Sequence, residues 1–319
     1  MNFPKVSIII PRKPGGDVRA LAGLTRVSYP PERFEVLVAY GCLPSAQRNQ
    51  AAQRAGGEIL FFLDDDSQVD PGFLERAVAH YEDPRVAGVG GPSLTPATDT
   101  PLQRAIGTAF GSVVGAGGVR NRYRKAGQAR LSSDSELILC NLSFRREVYL
   151  AQGGLDERLY PNEENELMDR LQHAGHHLVH DPELAVQRSQ RATFRAYLRQ
   201  MFGYGRGRGE QTVVAGKLKA TSLAPVFLLL YLLLIPFGTL EFAFPFLCYL
   251  ALMGAASLAG SWSGRDWRLF PWLLLVYPAL HLVYGAGMLA GLTRPRFRRQ
   301  VCDASGIEVR CVKGFEEKL

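Results

Sequence analysis

The chain has 319 residues, a formal net charge of +7 and 47% hydrophobic residues, which exceeds one small domain and suits two regions. Neither a helix-turn-helix pattern nor an RNA-binding or zinc spacing accompanies the positive charge, so nucleic acid is not the expected partner. The five cysteines form no CxxC pair, which argues against a structural zinc.

The N-terminal MNFPKVSIII is too short an apolar run for a signal peptide and leads into a strand. The soluble part is therefore expected to stay in the cytoplasm, with reduced thiols at Cys42 and Cys140. Lys5 to Pro11, β-branched and closed by proline, reads as a buried strand. A Gly/Pro loop follows, then helical spacing over Val18 to Val27. Phe34 to Tyr40 is a second strand. Ser45 to Ala55 is a short helix with Ser45 as its expected N-cap.

Ile59 to Leu63 is an uninterrupted apolar run, the composition of a strand covered on both faces. It stops at Asp64, Asp65 and Asp66, so the strand must emerge at a surface there. Carboxylates at the carboxyl edge of an open α/β sheet suit Mg²⁺ or Mn²⁺ carrying a substrate phosphate; a solvated acidic turn explains three aspartates equally well. Helix Pro71 to His80 and strand Val86 to Gly91 complete a β-α-β-α-β-α-β half of Rossmann type. Leu102 to Gly118 suggests a helix and Asn121 to Arg130 a basic loop. Ile138 to Phe144 reads as a strand.

From Asn162 the positions Leu167, Met168 and Leu171 take helical spacing. Glu163, Glu164 and Glu166 cluster at that helix start, where the dipole alone favours carboxylates. His173, His176, His177 and His180 have no HExxH spacing and are expected at the surface of the following turn.

The strand ending at Pro11, the strand ending at Tyr40, the segment QRNQAAQRAGGE and FLDDDS before a proline together resemble the nucleotide-sugar half of glycosyltransferase family 2, the inverting GT-A fold. The resemblance covers about residues 5–210. It implies an α/β fold: a GT-A (Rossmann-like) glycosyltransferase domain followed by C-terminal transmembrane helices. It assigns Asp64 and Asp66 to the family's DxD pair, the first near ribose and phosphate, the second on a divalent cation, with Asp65 in the variable middle place. Arg48 matches the arginine near the base, and Pro11 lies at the same edge. The common form has an acidic residue after the second strand; this chain has Val38-Ala39-Tyr40-Gly41 and is shorter there, so Tyr40 is the expected stacking partner of the base. GGLDERLYPNEENELMDRL resembles the acceptor half, whose acid pair opens the helix. The second acid, the general base, maps to Glu164, where most relatives carry Asp, with Glu163 as the alternative. Asn141 and Gln200 are expected on the acceptor side.

Thr193 to Phe202 puts Phe194, Tyr197, Leu198 and Met201 on one face, as in an interfacial amphipathic helix or a surface helix of the soluble domain. Gly203 to Gln211, GYGRGRGEQ, reads as an Arg/Gly linker where membrane relatives carry a Gln-x-x-Arg-Trp element; the tryptophan is absent. Arg206 and Arg208 are expected on the donor diphosphate, or else on lipid headgroups. Charge nearly vanishes from Leu223 onward, and three apolar stretches, 223–240, 242–260 and 269–292, fit about three transmembrane helices. Three crossings would put Arg294 to Arg299 outside, against the positive-inside rule; a re-entrant stretch near Pro278 and the glycines at 285–291 would avoid this. A Cys302–Cys311 disulfide would mark an external tail.

The expected domains are 1–192 (cytoplasmic transferase), 193–220 (interfacial helix and linker), 221–292 (transmembrane) and 293–319 (basic tail). The expected activity is inverting, metal-dependent hexosyl transfer from a nucleotide sugar to a membrane-borne, polyprenyl-linked acceptor of a surface polysaccharide, at the inner (plasma) membrane. The trailing helices resemble those of succinoglycan-type synthesis enzymes. Direct transfer to polyprenyl phosphate is the alternative, and a non-catalytic membrane scaffold the rival outside enzymes.

Overall fold

The computed structural model describes residues 3–216, 218, 220–296, 306–317 and 319. In chain order its strands are β1 (Val6–Arg12), β2 (Phe34–Tyr40), β3 (Ile59–Leu63), β4 (Val86–Gly90), β5 (Ser93–Leu94), β6 (Arg130–Ser132), β7 (Asn141–Arg145), β8 (His177–His180), β9 (Val186–Gln187) and β10 (Glu308–Lys313). Its helices are α1 (Ala20–Leu24), α2 (Pro44–Arg54), α3 (Phe73–Ala79), α4 (Pro101–Phe110), α5 (Val113–Ala116), α6 (Arg146–Ala151), α7 (Glu163–His173), α8 (Phe194–Ala215), α9 (Ala224–Leu234), α10 (Phe244–Ser263) and α11 (Phe270–Thr293). The chain divides into two compact units, one of Met1–Leu94, Asn121–Arg188 and Val301–Leu319, the other of Thr95–Arg120 and Ser189–Gln300.

The first unit is built on an eight-stranded sheet in the order β10-β2-β1-β3-β7-β4-β8-β6. β1 runs parallel to both β2 and β3, with Val6 level with Phe34 and with Ile59. Strand residues alternate between faces, and both faces are covered. Ile8, Ile10, Val36, Val38 and Phe61 pack with Leu24, Phe73 and Leu74 of α1 and α3. Ile9, Leu37, Leu60 and Phe62 pack with Ala51 and Ala52 of α2 and with Tyr149, Leu167, Met168 and Leu171 of α6 and α7. This double burial is why the strands read as unbroken apolar runs; each fully buried large side chain contributes about 1.5–3 kcal/mol. The parallel arrangement brings Arg12, Tyr40 and Asp64 out together at one edge of the sheet.

Several expectations need correction in this unit. Ser45 is not an N-cap: Pro44 takes the first turn of α2, Leu43 precedes it, and the Ser45 hydroxyl donates to the Leu159 carbonyl at 2.9 Å. The helix expected over 18–27 shrinks to α1, and the strand expected from Ile138 starts at Asn141. His180 is fully buried on β8 rather than at the surface.

The C-terminal segment is not a free tail. β10 pairs antiparallel with β2, Arg310 level with Val38. Lys313 ends it inside the unit, 1% exposed, donating to the carbonyls of Pro31 and Phe34 at 2.6 Å each and lying 3.9 Å from the Phe34 ring centroid. The chain therefore leaves the first unit after Arg188 and returns to it at β10. Cys302 lies outside the described residues, as do the residues from 297 to 300.

Among the described residues of the second unit, two helices, Glu241–Ser263 and Trp267–Thr293, are long and apolar enough to cross a membrane by length and composition. The stretch expected as the first span forms only the shorter apolar helix Ala224–Phe237. Pro236 removes a backbone donor there, and the chain turns extended at Gly238. Large apolar side chains are left exposed along these helices, among them Phe237, Leu240, Phe244 and Trp262, 64–90% exposed. No re-entrant turn occurs at Pro278, which lies inside the continuous helix α11.

The expected Arg/Gly linker is also absent, because α8 is one helix of 22 residues. Its glycines make a close seam with α11. A Cβ on Gly205 would fall 2.0 Å from the Tyr284 carbonyl oxygen, one on Gly209 2.5 Å from that of Met288, and one on Gly291 2.2 Å from that of Arg206. These are small-xxx-small pairs, Gly205/Gly209 and Gly287/Gly291, that let two helix backbones touch. Gly291→Ala should lower stability by about 1–3 kcal/mol through overpacking. Gly254→Ala on α10, where a Cβ meets nothing within 4 Å, should be neutral or stabilising. Thermal unfolding of the detergent-solubilised chain measures both; equal shifts would refute the seam.

Candidate active site

Asp64 is the first residue beyond β3, and the turn it opens is held by Ser67, whose N–H donates to the Asp64 carbonyl at 3.1 Å and whose hydroxyl donates to that of Cys140 at 3.1 Å. Arginines surround the three aspartates. Arg48 Nη2 donates to Asp64 Oδ1 at 2.9 Å. Arg188 spans two of them, Nη2 at 3.0 Å from Asp64 Oδ2 and Nε at 2.9 Å from Asp66 Oδ1. Arg12 donates to Asp65, and Arg19 approaches Asp66 at 3.9 Å. Asp65 is thus engaged in its own pair.

Arg48 links this cluster to the start of α7. It sits on α2, its side chain 6% exposed, and its Nη1 lies 3.3 Å from Glu163 Oε1. One buried guanidinium serves carboxylates from two separate segments. Burial opposes its charge, but Asp64 and then Glu163 outweigh this and hold its pKa above the usual arginine value. Glu163 is pushed up to about 8, by burial first and then by the adjacent Glu164, against the pull of Arg48. Its Oε2 is buried without a hydrogen-bond partner among the described residues. Glu163 and Glu164 are 2% and 9% exposed. They are presented by a sharp entry to α7, where Asn162 has φ 85° and Asn165 donates to its side chain at 2.7 Å. Beneath them, Asn165 Oδ1 accepts from Arg122 at 2.5 Å.

The structure therefore brings together Pro11, Tyr40, Arg48, Asp64, Asp66, Glu163 and Glu164 within the first unit. The Tyr40 ring carries the Arg310 guanidinium at 5.1 Å. Asn141 is fully buried at the base of β7, its Nδ2 donating to the Leu184 carbonyl at 2.5 Å. Gln200, Arg206 and Arg208 belong to α8 of the second unit. Gln200 donates to the Tyr204 hydroxyl at 2.9 Å, Arg206 to Glu210 at 3.0 Å and Arg208 to Gln211 at 2.8 Å. Arg12, Arg19 and Arg188 were not anticipated. Arg12 had a readable signal, one residue past Pro11 at the same sheet edge as Asp64. Arg188 had none, because its place depends on the pairing of Gln187 with Gln68.

Asp64 and Asp66 fit a divalent cation. They are hard oxygen donors, their side chains are 22% and 23% exposed, and one positive group, Arg188, already bridges them. Among the described residues no group of three or more His, Cys, Asp or Glu side chains is arranged to hold a metal, so neither His173, His176, His177 and His180 nor the aspartate turn forms one, and Asp64 and Asp66 offer a pair of donors only.

A model of the Glycosyl transferase family group 2 matches residues 59–289. The succinoglycan biosynthesis protein ExoA of Rhizobium meliloti is 30% identical over 174 residues, 53% of this chain and 49% of that protein. The pre-mycofactocin glycosyltransferase of Mycobacterium tuberculosis is 29% identical over 166 residues, 51% of this chain and 33% of that protein. The match thus spans half or less of each of these relatives. Among solved structures, the mannosyltransferase PcManGT from Pyrobaculum calidifontis, in complex with GDP-Man and Mn²⁺, superposes with a TM-score of 0.60 at 15% identity, covering 92% of this chain and 88% of that one. At that identity the likeness speaks for the GT-A fold.

Proposed function

Because the chain belongs to glycosyl transferase family group 2, we propose that it transfers a hexosyl group from a nucleotide sugar to a lipid-linked acceptor, with inversion at the anomeric carbon. The observation that carries this reading is the Arg48 bridge, which joins the Asp64–Asp66 edge to the acid pair of α7. The donor diphosphate lies at the carboxyl ends of β1–β3, with the base toward Tyr40. Asp64 and Asp66 would hold a divalent cation, which would supply charge neutralisation to the departing diphosphate. Glu164 takes the acceptor hydroxyl's proton as that oxygen attacks. Glu163, with its raised pKa, keeps its proton near neutrality and leaves the basic role to its neighbour. Arg48 holds both halves in register. A single displacement inverts the centre; retention by double displacement would need a nucleophile on the opposite face.

The exposed apolar helices of the second unit support a membrane-borne acceptor, in line with a polyprenyl-linked glycan of surface polysaccharide synthesis. Membrane attachment then runs through the second unit, with the transferase unit and both ends of the apolar region on the cytoplasmic side. On this reading the two units serve as the domains, the first for transfer and the second for attachment.

Purified full-length chain offered a panel of nucleotide sugars with Mn²⁺ should release nucleoside diphosphate from one of them, faster with lipid-linked acceptor than without. EDTA should reduce this release to background, and Mn²⁺ should restore it. Release that is unaffected by chelation would remove the cation from the reading, and no release from any donor would remove the transferase.

A further inference from the structure

Arg188 occupies the position between the two carboxylates that a divalent cation would need. Its Nε and Nη2 reach Asp66 Oδ1 and Asp64 Oδ2 at 2.9 and 3.0 Å, and its side chain is 20% exposed. The segment carrying it is tied to the aspartate turn itself. Gln187 and Gln68 exchange both backbone hydrogen bonds at 2.9 Å, two residues beyond Asp66, and the Arg188 N–H donates to the Leu94 carbonyl at 2.8 Å. β9 also pairs with β5, Val186 level with Ser93. The backbone of Arg188 is thereby fixed beside the acids, so an exchange of partners would be a movement of its side chain.

We propose that Arg188 is a resident counter-cation of the Asp64–Asp66 pair, exchanged for the divalent cation when a nucleoside diphosphate arrives, whose phosphate oxygens then receive the guanidinium. This rests on the donor-site reading above and adds to it a coupling between cation and nucleotide. Electrostatics favours such an exchange in one order. Without nucleotide, a divalent cation must displace a two-pronged, charge-assisted pair, and the displaced guanidinium would face the incoming ion. With nucleotide, the planar fork of Arg188 finds phosphate oxygens, a partner for which it is well shaped. Arg12 and Arg48 remain on Asp65 and Asp64, so the turn keeps positive charge throughout. By reciprocity, whatever factor the nucleotide adds to cation affinity, the cation adds to nucleotide affinity.

The test is Mn²⁺ binding, followed by the loss of the free-ion electron paramagnetic resonance signal, on the detergent-solubilised full chain with and without UDP or GDP. The parent should bind Mn²⁺ weakly alone and tightly with one of the nucleotides. Arg188→Gln should bind Mn²⁺ alone roughly ten- to a hundredfold more tightly than the parent, the factor expected for a lost charge-assisted bond, and should gain much less from nucleotide. Arg188→Lys, which keeps the charge but loses the fork, should fall between them, and its unfolding midpoint guards against a misfolded Gln variant. If the parent binds Mn²⁺ tightly with nucleotide but both variants, without nucleotide, bind it no better than the parent without nucleotide, the exchange is refuted while the donor site stands. If the parent binds no Mn²⁺ even with UDP or GDP, the donor-site reading fails and the exchange falls with it.

Discussion

Glu164→Gln is expected to lower transfer by about 10²–10⁴-fold, the usual contribution of a positioned general base, while leaving nucleotide affinity unchanged. The substitution keeps the side chain's length and removes only its ability to accept a proton. Glu163→Gln is expected to cost less than tenfold, because a carboxyl whose pKa is pushed up to about 8 already carries its proton at neutral pH. Glutamine then imitates the neutral form. The two acids are consecutive on α7 and both buried, yet their environments differ: Glu163 faces Arg48, which it shares with Asp64 at a shorter distance. Initial rates with labelled nucleotide sugar, beside nucleotide affinity by calorimetry, separate them. A larger loss in Glu163→Gln would exchange the roles of the pair.

The half of the site on β3 was legible because composition alone ends a buried strand at Asp64, and β1–β3 were legible because burial on both faces demands apolar residues without interruption. The acid pair was legible as a cluster, and the resemblance to family 2 assigned its roles. What escaped was set by partners distant in the chain. β10, EVRCVK, alternates charge with small or apolar residues at a sheet edge and has no apolar run to announce it; its place follows from β2 and from the three carbonyls that hold Lys313. α8 reads as a linker because each glycine costs about 1 kcal/mol against alanine in a helix. The close approach to α11 reverses that reading, and the glycine spacing at 205/209 and 287/291 was the signal for it. Arg188 joined the site through a backbone pairing that no local pattern encodes.

Arg48→Met should destabilise the folded chain by about 1–3 kcal/mol, since it leaves the acceptors of Asp64 and Glu163 without their shared buried donor. Methionine retains most of the packing volume, so the loss reports electrostatics more than a cavity. The pH dependence gives a second signature. Glu163 titrates at about 8 in the folded chain against 4.5 as the ordinary value. The folded protein keeps a proton through that interval which the unfolded chain has released. The stability associated with it is therefore fully present below about pH 4.5 and is lost as pH rises to about 8. Without Arg48 the carboxylate loses the cation that lowers its pKa, so the loss of stability should extend to higher pH in Arg48→Met. Adding Glu163→Gln should abolish this slope in both backgrounds and recover stability of Arg48→Met only at the alkaline end, where Glu163 would otherwise ionise. Urea unfolding of the detergent-solubilised chain between pH 5 and 9 measures all four proteins. If the slope of Arg48→Met matched that of the parent, the guanidinium would not be what restrains Glu163, and the bridge between the two halves of the site would lose its energetic basis.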